Sequence, residues 1–140
     1  MLKQGDILIA EDSRLLLQLL KDALLAHGIS EQVQACTNGL ELLSRAEQAF
    51  ADKKNPGLYI LDIIMPGPSG LEVARRLRGL EVLHQVDPIP ILFYSGMERN
   101  AVIDETIDLT WPARFIHKAE GRRPDALALA IVESLKTMRD

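Results

Sequence analysis

The chain has 140 residues, of which 47% are hydrophobic and 26% are charged, a composition typical of one globular domain with a full-sized core. Its net charge of −4 argues against direct binding to nucleic acid, which usually requires a basic patch. A single cysteine excludes an internal disulfide, and no stretch resembles a signal peptide or a run of ~20 apolar residues, so we expect a cytoplasmic protein without membrane insertion.

Apolar runs alternate with helical periodicities along the whole chain. In chain order, the pattern predicts a strand at 6–11, a helix at 13–26, a strand at 33–36, a helix at 39–52, a strand at 58–62, a helix at 71–78, a strand at 91–94, a helix at 99–107, a strand at 114–117 and a helix at 124–138. Strands separated by helices imply right-handed parallel crossovers, with helices on both faces of the sheet. The sequence therefore predicts a three-layer α/β sandwich with five parallel strands, as one domain over residues 1–140.

Local signals mark several helix ends and one buried helix face. Ser13 and Asn38 are typical N-cap residues, and Gly28 comes just past the end of the first predicted helix. Leucines at positions 16, 20 and 24 recur at helical spacing and predict a stripe of buried side chains.

Polar residues stand where four of the predicted strands end. Glu11 and Asp12 end or follow the first strand, Asp62 ends the third, Ser95 follows the fourth, and Lys118 follows the fifth. Because ligands of open α/β sheets bind beyond the carboxyl ends of the strands, we expect these five side chains to meet at one edge. Carboxylate oxygens without nearby His or Cys favour Mg²⁺ or Mn²⁺ over zinc.

This set of residues matches the needs of phosphoryl transfer. Asp62 is a candidate nucleophile, since aspartate carboxylates form acyl phosphates in some enzymes, and Lys118 and Ser95 could contact phosphoryl oxygens. Each residue alone has an ordinary explanation, as a helix cap, a turn residue or a solvated surface charge. Their joint occurrence at strand ends favours a functional site.

Four motifs, each after its expected strand, resemble those of the receiver domains of two-component response regulators, including single-domain chemotaxis regulators. They are Ile-Ala-Glu-Asp-Ser at 9–13, Leu-Asp-Ile-Ile-Met-Pro at 61–66 with Gly70, Tyr-Ser-Gly at 94–96, and Phe-Ile-His-Lys at 115–118. The resemblance covers essentially the whole chain. It implies a flavodoxin-like parallel sheet in the order 2-1-3-4-5, with two helices on one face and three on the other.

The resemblance also implies an acceptor residue and a metal site. Asp62 looks like the phosphoacceptor, and Asp12 resembles the residue that binds Mg²⁺ directly. Glu11 would act close to the cation, often through water, and the backbone carbonyl of Ile64 would complete the protein ligands.

The remaining matched positions imply a switch. Lys118 resembles the lysine that contacts the phosphoryl group, Ser95 the switch hydroxyl and Phe115 the switch aromatic. The implied reaction is transfer from a phosphohistidine of a sensor histidine kinase, or of a phosphotransfer protein, to Asp62. A change in the face formed by the fourth helix, the fifth strand and the fifth helix would then alter binding to a downstream protein target, without turnover as an enzyme.

Three positions depart from or refine the family pattern. Ala119 stands where the family usually has a proline, often in a cis peptide, so the loop after Lys118 is expected to be shaped differently. Ile64 and Met97 would flank the phosphoryl group and shield it from water. We therefore expect slow loss of phosphate.

Two other functions are weighed against this one. The first is a protein-interaction module that keeps the receiver fold without phosphorylation, to which Ala119 gives some weight. The second is an Asp-nucleophile phosphohydrolase, although such enzymes usually carry the nucleophile after the first strand with another acid two residues on. Here Asp62 follows the third strand, and Ile64 occupies that second position.

Overall fold

The computed structural model describes residues 5–11, 13–28, 32–96, 98–117, 129 and 132–133. The strands are β1 (Ile7–Ala10), β2 (Val33–Cys36), β3 (Leu58–Asp62), β4 (Ile91–Ser95) and β5 (Ala113–His117). The helices are α1 (Arg14–Ala26), α2 (Gly39–Ala51), α3 (Gly70–Leu83) and α4 (Ala101–Leu109). The helix predicted at 124–138 falls largely outside the described residues. Within that range, residues 129, 132 and 133 are described, and all three are helical.

The five strands form one parallel sheet in the order β2-β1-β3-β4-β5. This order confirms the topology that the family resemblance implies. The strand bounds differ slightly from those predicted: β1 is shorter by one residue at each end, β4 also includes Ser95, and β5 also includes Ala113. Strand ends shift in this way because ladder hydrogen bonds, which define them, depend on the neighbouring strand.

The sheet separates two hydrophobic clusters. Along β1, Ile7 and Ile9 face one cluster while Leu8 and Ala10 face the other, because successive side chains of a strand point to opposite faces. The first cluster includes the predicted leucine stripe of α1, at positions 16, 20 and 24, and the second includes buried side chains of α2, α3 and α4. Helices therefore cover both faces, and the predicted three-layer α/β sandwich is confirmed.

The predicted cap residues occupy the helix ends. The Ser13 side chain accepts a hydrogen bond from the Leu16 amide at the start of α1, and the Asn38 side chain accepts one from the Glu41 amide at the start of α2. Gly28, just past α1, has φ of +72°, a left-handed conformation that glycine adopts without steric cost. These predictions are confirmed. They could be made from sequence because each depends only on neighbouring residues.

Helix α3 is longer than predicted, continuing beyond Arg78 to Leu83. The physical reason is a buried carboxylate in the additional turn. Glu81 is 1% exposed and accepts hydrogen bonds from the Ile89 amide, at 2.9 Å, and from the Tyr59 hydroxyl, at 3.3 Å. These contacts hold the last turn of α3 against β3 and the segment that leads into β4.

Helix α4 was predicted over residues 99–107. It begins two residues later, at Ala101, and ends at Leu109. Asn100 sets the start, since its side chain accepts a hydrogen bond from the Ile103 amide at 3.0 Å. The end is closed by Thr110, whose hydroxyl donates to the Thr106 carbonyl at 2.6 Å.

Candidate functional site

The parallel register brings the strand ends to one edge of the sheet. Ala10 on β1 is level with Leu61 on β3, so Glu11 and Asp62 follow at the same height on neighbouring strands. Asp62 is in turn level with Tyr94 on β4, immediately before Ser95. The structure thus brings together three of the predicted site residues: Glu11, Asp62 and Ser95.

Asp62 is held by the loop that follows it. Its carboxylate is at the end of β3, the residue is only 8% exposed, and Oδ1 accepts a hydrogen bond from the Ile64 amide at 3.1 Å. The intervening Ile63 donates its amide to the Tyr94 carbonyl at 3.1 Å and accepts at its carbonyl from the Gly70 amide at 3.0 Å. The backbone after Asp62 is therefore fixed from both β4 and α3.

Gly70 is required where α3 passes this loop. A Cβ atom at this position would lie 2.4 Å from the Asp62 carbonyl oxygen and 3.0 Å from the Ile63 Cα. Both are backbone atoms, which cannot rotate away as a flexible side chain could. The absence of a side chain at Gly70 lets α3 begin directly against the residue that carries the candidate nucleophile.

Glu11 has a hydrogen-bond donor at each of its carboxylate oxygens. The Tyr94 hydroxyl donates to Oε1 at 2.7 Å, and the Ser13 amide donates to Oε2 at 3.2 Å. The residue is 7% exposed, and its own amide donates to the Cys36 carbonyl at 2.9 Å. The contact of Tyr94 with Glu11 was not predicted, although Tyr94 belongs to the Tyr-Ser-Gly motif. The available signal was a phenol inside an apolar strand, whose hydroxyl needs a polar partner when buried.

The two predicted switch residues are on neighbouring strands with different exposure. Ser95 is fully buried at the end of β4. Phe115, on β5, is half-buried, is level with Phe93 and packs against the cluster that contains α4. Its ring centroid lies 6.5 Å from that of His117 in an edge-on arrangement. Phe115 is therefore partly accessible to solvent, whereas Ser95 is enclosed.

Ile64 presents a side chain that is 64% exposed, beside the buried carboxylate that its amide contacts. Asp12, Met97, Lys118 and Ala119 lie outside the described residues. Within the described residues, no three His, Cys, Asp or Glu side chains form a group that could hold a metal ion. The predicted set has a third carboxylate, that of Asp12.

The donors at this edge fit a hard divalent cation. The carboxylates of Glu11 and Asp62 are nearly buried at adjacent strand ends, where a cation would balance their charge. Oxygen ligands of this kind suit Mg²⁺. Cys36, on the neighbouring strand β2, is fully buried in the hydrophobic cluster that includes Leu8 and Ala10, and this burial raises the pKa of its thiol to about 11.

Comparisons with known sequences agree with this geometry. A family model of the response regulator receiver domain matches residues 7–127. The response regulator MprA of Mycobacterium tuberculosis is 33% identical over 113 residues, which cover 78% of this chain and 44% of that protein. The transcriptional regulatory protein TrcR of the same organism is 32% identical over 104 residues, covering 74% of this chain and 35% of that protein. The chain thus spans less than half the length of these relatives.

Solved structures show the same fold. The receiver domain of the histidine kinase CKI1 from Arabidopsis thaliana, complexed with Mg²⁺ and BeF₃⁻, has a TM-score of 0.71 and 23% identity, with 95% of this chain and 92% of that chain covered. A CheY-like response regulator receiver domain protein from Methanospirillum hungatei has a TM-score of 0.69 and 20% identity, with 98% of each chain covered.

Proposed function

This chain belongs to the response regulator receiver domain family, and we propose that it accepts a phosphoryl group on Asp62 and signals by changing its partner-binding face. The donor is a phosphohistidine on a sensor histidine kinase or a phosphotransfer protein. The observation that carries this proposal is the placement of Asp62. Its carboxylate is nearly buried at the end of β3, level with Glu11 and beside the buried Ser95.

In the proposed transfer, a carboxylate oxygen of Asp62 attacks phosphorus while the phosphorus–nitrogen bond of the phosphohistidine breaks. The Ile64 amide orients the carboxylate through Oδ1. Glu11, Asp62 and the Ile64 carbonyl, with Asp12 by family resemblance, would hold Mg²⁺ or Mn²⁺. The bound cation supplies charge neutralisation at the phosphoryl oxygens. By the same resemblance, Lys118 would contact the phosphoryl group.

The proposed signal starts from the new charge on Asp62. The Ser95 hydroxyl would move to donate a hydrogen bond to a phosphoryl oxygen, and Phe115 would turn toward the space that Ser95 leaves. Ser95 and Phe115 lie on adjacent strands, and β5 contacts α4, so their movement would reshape that surface. The response is a shift between two populated states, biased by one local charge change.

We infer a setting for this activity from composition and family. The chain would work in the cytoplasm as a phosphoprotein that binds a downstream protein target, and it would not turn over substrate as an enzyme. The net charge of −4 supports a protein partner for this domain over direct contact with nucleic acid. None of the helices formed by the described residues is long and apolar enough to cross a membrane.

Binding of beryllofluoride, which mimics an aspartyl phosphate, tests the site without a cognate kinase. With Mg²⁺ and beryllofluoride, the melting temperature of the wild type should rise by several degrees, because ligands that bind only the folded state stabilise it. Asp62→Asn should show no rise, whereas Asp22→Asn, an exposed acid on α1, should respond like the wild type. A wild type that does not respond would contradict the proposal and favour a phosphorylation-independent module.

A further inference from the structure

Tyr94 touches three parts of the candidate site at once. Its hydroxyl donates to Glu11 Oε1 at 2.7 Å, and its carbonyl accepts from the amide of Ile63, the residue after Asp62, at 3.1 Å. Its next neighbour in the chain is Ser95. One residue of β4 thus joins a candidate metal ligand, the acceptor loop and the switch hydroxyl.

The Tyr94 side chain lies on the same face of the sheet as the Asp62 side chain and extends from there to Glu11. Asp62 and Tyr94 are level on adjacent strands, so their side chains leave the same face of the sheet. Tyr94 is fully buried in the cluster under α1, and its hydroxyl reaches past β3 to β1, where it also lies 3.5 Å from the Ala10 carbonyl. Of these two acceptors, the Glu11 carboxylate is the nearer.

The hydrogen bond from Tyr94 orients the Glu11 carboxylate and still leaves it able to bind a cation. Each carboxylate oxygen has two lone pairs, so Oε1 can accept from Tyr94 and still face a cation or its water. The Ser13 amide holds the other oxygen at 3.2 Å. Because the carboxylate is held at both oxygens before a cation arrives, little reorganisation is needed on binding.

We propose that Tyr94 is a positioning residue of the cation site, whose hydroxyl orients Glu11 and links cation binding to β4. The inference rests on the proposed function, because it assumes that Glu11 helps to hold the cation. It goes beyond that function by assigning a role to the phenol of the Tyr-Ser-Gly motif, to which the family resemblance gave none. Tyr94 acts through Glu11 and does not itself touch the phosphoryl group.

The chain supplies a matched control in Tyr59, its other tyrosine. Tyr59 is also fully buried, and its hydroxyl also donates to a buried carboxylate, Glu81, at 3.3 Å. That contact lies on the opposite face of the sheet, with the end of α3. Replacing either tyrosine by phenylalanine removes one buried hydroxyl and keeps the ring, but only Tyr94→Phe alters a contact of the cation site.

The first test measures Mn²⁺ affinity from the electron paramagnetic resonance signal of the free ion. Tyr94→Phe should weaken binding by ~10-fold or more, as expected when a partner that orients a metal ligand is lost. Tyr59→Phe should bind like the wild type. Equal affinity for Tyr94→Phe and the wild type would overturn the proposal, as would equal losses in the two tyrosine variants.

A double-mutant cycle separates positioning from a general structural effect. In a Glu11→Gln background, Tyr94→Phe should weaken Mn²⁺ binding much less than in the wild type, since the hydroxyl acts through that carboxylate. Full additivity of the two losses would contradict this route. A wild type that binds no Mn²⁺ would instead remove the cation site itself, and the proposed function would then fail together with this inference.

A measurement on the unaltered protein avoids any dependence on variant stability. With ¹³C label at the tyrosine ring carbon that bears the hydroxyl, two signals are expected from the two tyrosines. Saturating Mg²⁺ should shift the Tyr94 signal, because its acceptor Glu11 gains a neighbouring charge, and should leave the Tyr59 signal in place. If amide signals near Asp62 move while both tyrosine signals stay still, Tyr94 is not coupled to the site.

Discussion

Gly70 and Gly79 both lie in α3, yet an added methyl group would meet different surroundings at the two positions. At Gly70, the new carbon would collide with the backbone of Asp62 and Ile63, whereas at Gly79 nothing lies within 4 Å. Helix propensity favours alanine at both sites, so any difference between the two variants reports the contact with the acceptor loop.

We predict opposite effects for the two alanine substitutions. Gly79→Ala should raise the free energy of unfolding by ~0.5–1 kcal/mol, the usual gain from replacing an exposed helical glycine. Gly70→Ala should lower it by ~1–3 kcal/mol, as expected for overpacking. Urea denaturation measures both values, and phosphorylation by acetyl phosphate should slow only in Gly70→Ala. A fully stable, fully active Gly70→Ala would refute the close approach.

Ile64 follows Asp62 by two residues and has an exposed apolar side chain. If it shields the acyl phosphate from water, Ile64→Asn should speed phosphate loss, and adding Met97→Glu should speed it further. The decay is followed by intact mass after the phosphodonor is removed. Leu25→Asn, at an exposed apolar position near the end of α1, serves as the control and should decay like the wild type. Unchanged decay in the double variant would exclude shielding.

The strands β4 and β5 carry the proposed switch, and their phenylalanines offer a direct readout of it. The chain has three phenylalanines, and Phe50 and Phe93 are buried whereas Phe115 is half-buried. Fluorinated phenylalanine therefore gives one signal at the switch and two internal references. The buried references should report only global changes in packing.

We predict that Mg²⁺ and beryllofluoride shift the fluorine signal of Phe115 more than those of Phe50 and Phe93. Ser95→Ala should still bind beryllofluoride but should show a reduced Phe115 shift, because the hydroxyl that draws β4 toward the acceptor is gone. Fluorine NMR makes this measurement, with Phe115→Leu used for assignment. An identical Phe115 shift in the wild type and Ser95→Ala would show that the hydroxyl does not drive the aromatic movement.

Arg78 forms a largely buried ion pair with Glu81 within α3 and also links this helix to the segment between α4 and β5. Arg78 Nη1 lies 2.7 Å from Glu81 Oε1, and the same guanidinium donates to the Thr110 carbonyl at 2.7 and 3.1 Å and to the Pro112 carbonyl at 3.3 Å. Burial raises the pKa of Glu81, although Arg78 and the hydrogen bonds from Ile89 and Tyr59 oppose this shift.

Replacing Arg78 should lower the stability of the fold and make that stability more dependent on pH. Arg78→Met should lower the free energy of unfolding by ~3–5 kcal/mol, because it leaves a buried carboxylate without its ion-pair partner. Arg76→Met, which breaks only an exposed pair with Glu72, should cost ~1 kcal/mol or less. Urea denaturation of both variants and of the wild type provides the comparison.

The sign of the pH effect follows from the raised pKa of Glu81. A carboxyl whose folded pKa lies above its ordinary value of 4.5 contributes stability that is present below that value and is lost as pH rises through the folded pKa. Without Arg78 the pKa rises further, so the stability of Arg78→Met should fall more steeply than that of the wild type as pH increases above 4.5. Parallel pH profiles would contradict this role.

Patterns along the chain were enough to predict the layers, the five parallel strands and two of the helix caps, whereas the strand order came from the family resemblance. Strands and helices have different apolar periods, and Ser13 and Asn38 cap helices through residues only three positions away. The position of the site was predictable as well, because the carboxyl ends of parallel strands meet at one edge of the sheet. Residue chemistry suggested the nucleophile, the cation ligands and the phosphoryl contacts, and the family resemblance made these roles specific. All of them stay predictions, including those of Asp12 and Lys118.

Contacts between distant parts of the chain were not predictable from local pattern. The Tyr94–Glu11 bond joins residues 83 positions apart, and the Arg78–Thr110 contact joins residues 32 positions apart. Their partners become neighbours only after the strands have paired. The same limit explains the extension of α3, which depends on Glu81 meeting Ile89 and Tyr59.

Taken as a whole, the molecule places a rigid acceptor beside a more adaptable surface. Asp62 is held by β3, β4 and α3, whereas Phe115 on β5 is half-buried next to α4. In the proposed switch, a charge added at Asp62 would change the packing of Phe115. This coupling depends entirely on whether Asp62 accepts a phosphoryl group.

The most direct test is the intact mass of the protein after incubation with acetyl phosphate and Mg²⁺, for the wild type and Asp62→Asn. We predict one added phosphoryl group on the wild type, absent from the variant and abolished by a chelator. No adduct on the wild type, together with confirmed Mg²⁺ binding and no response to beryllofluoride, would contradict phosphorylation at Asp62. The beryllofluoride arm excludes rapid hydrolysis as the reason for a missing adduct.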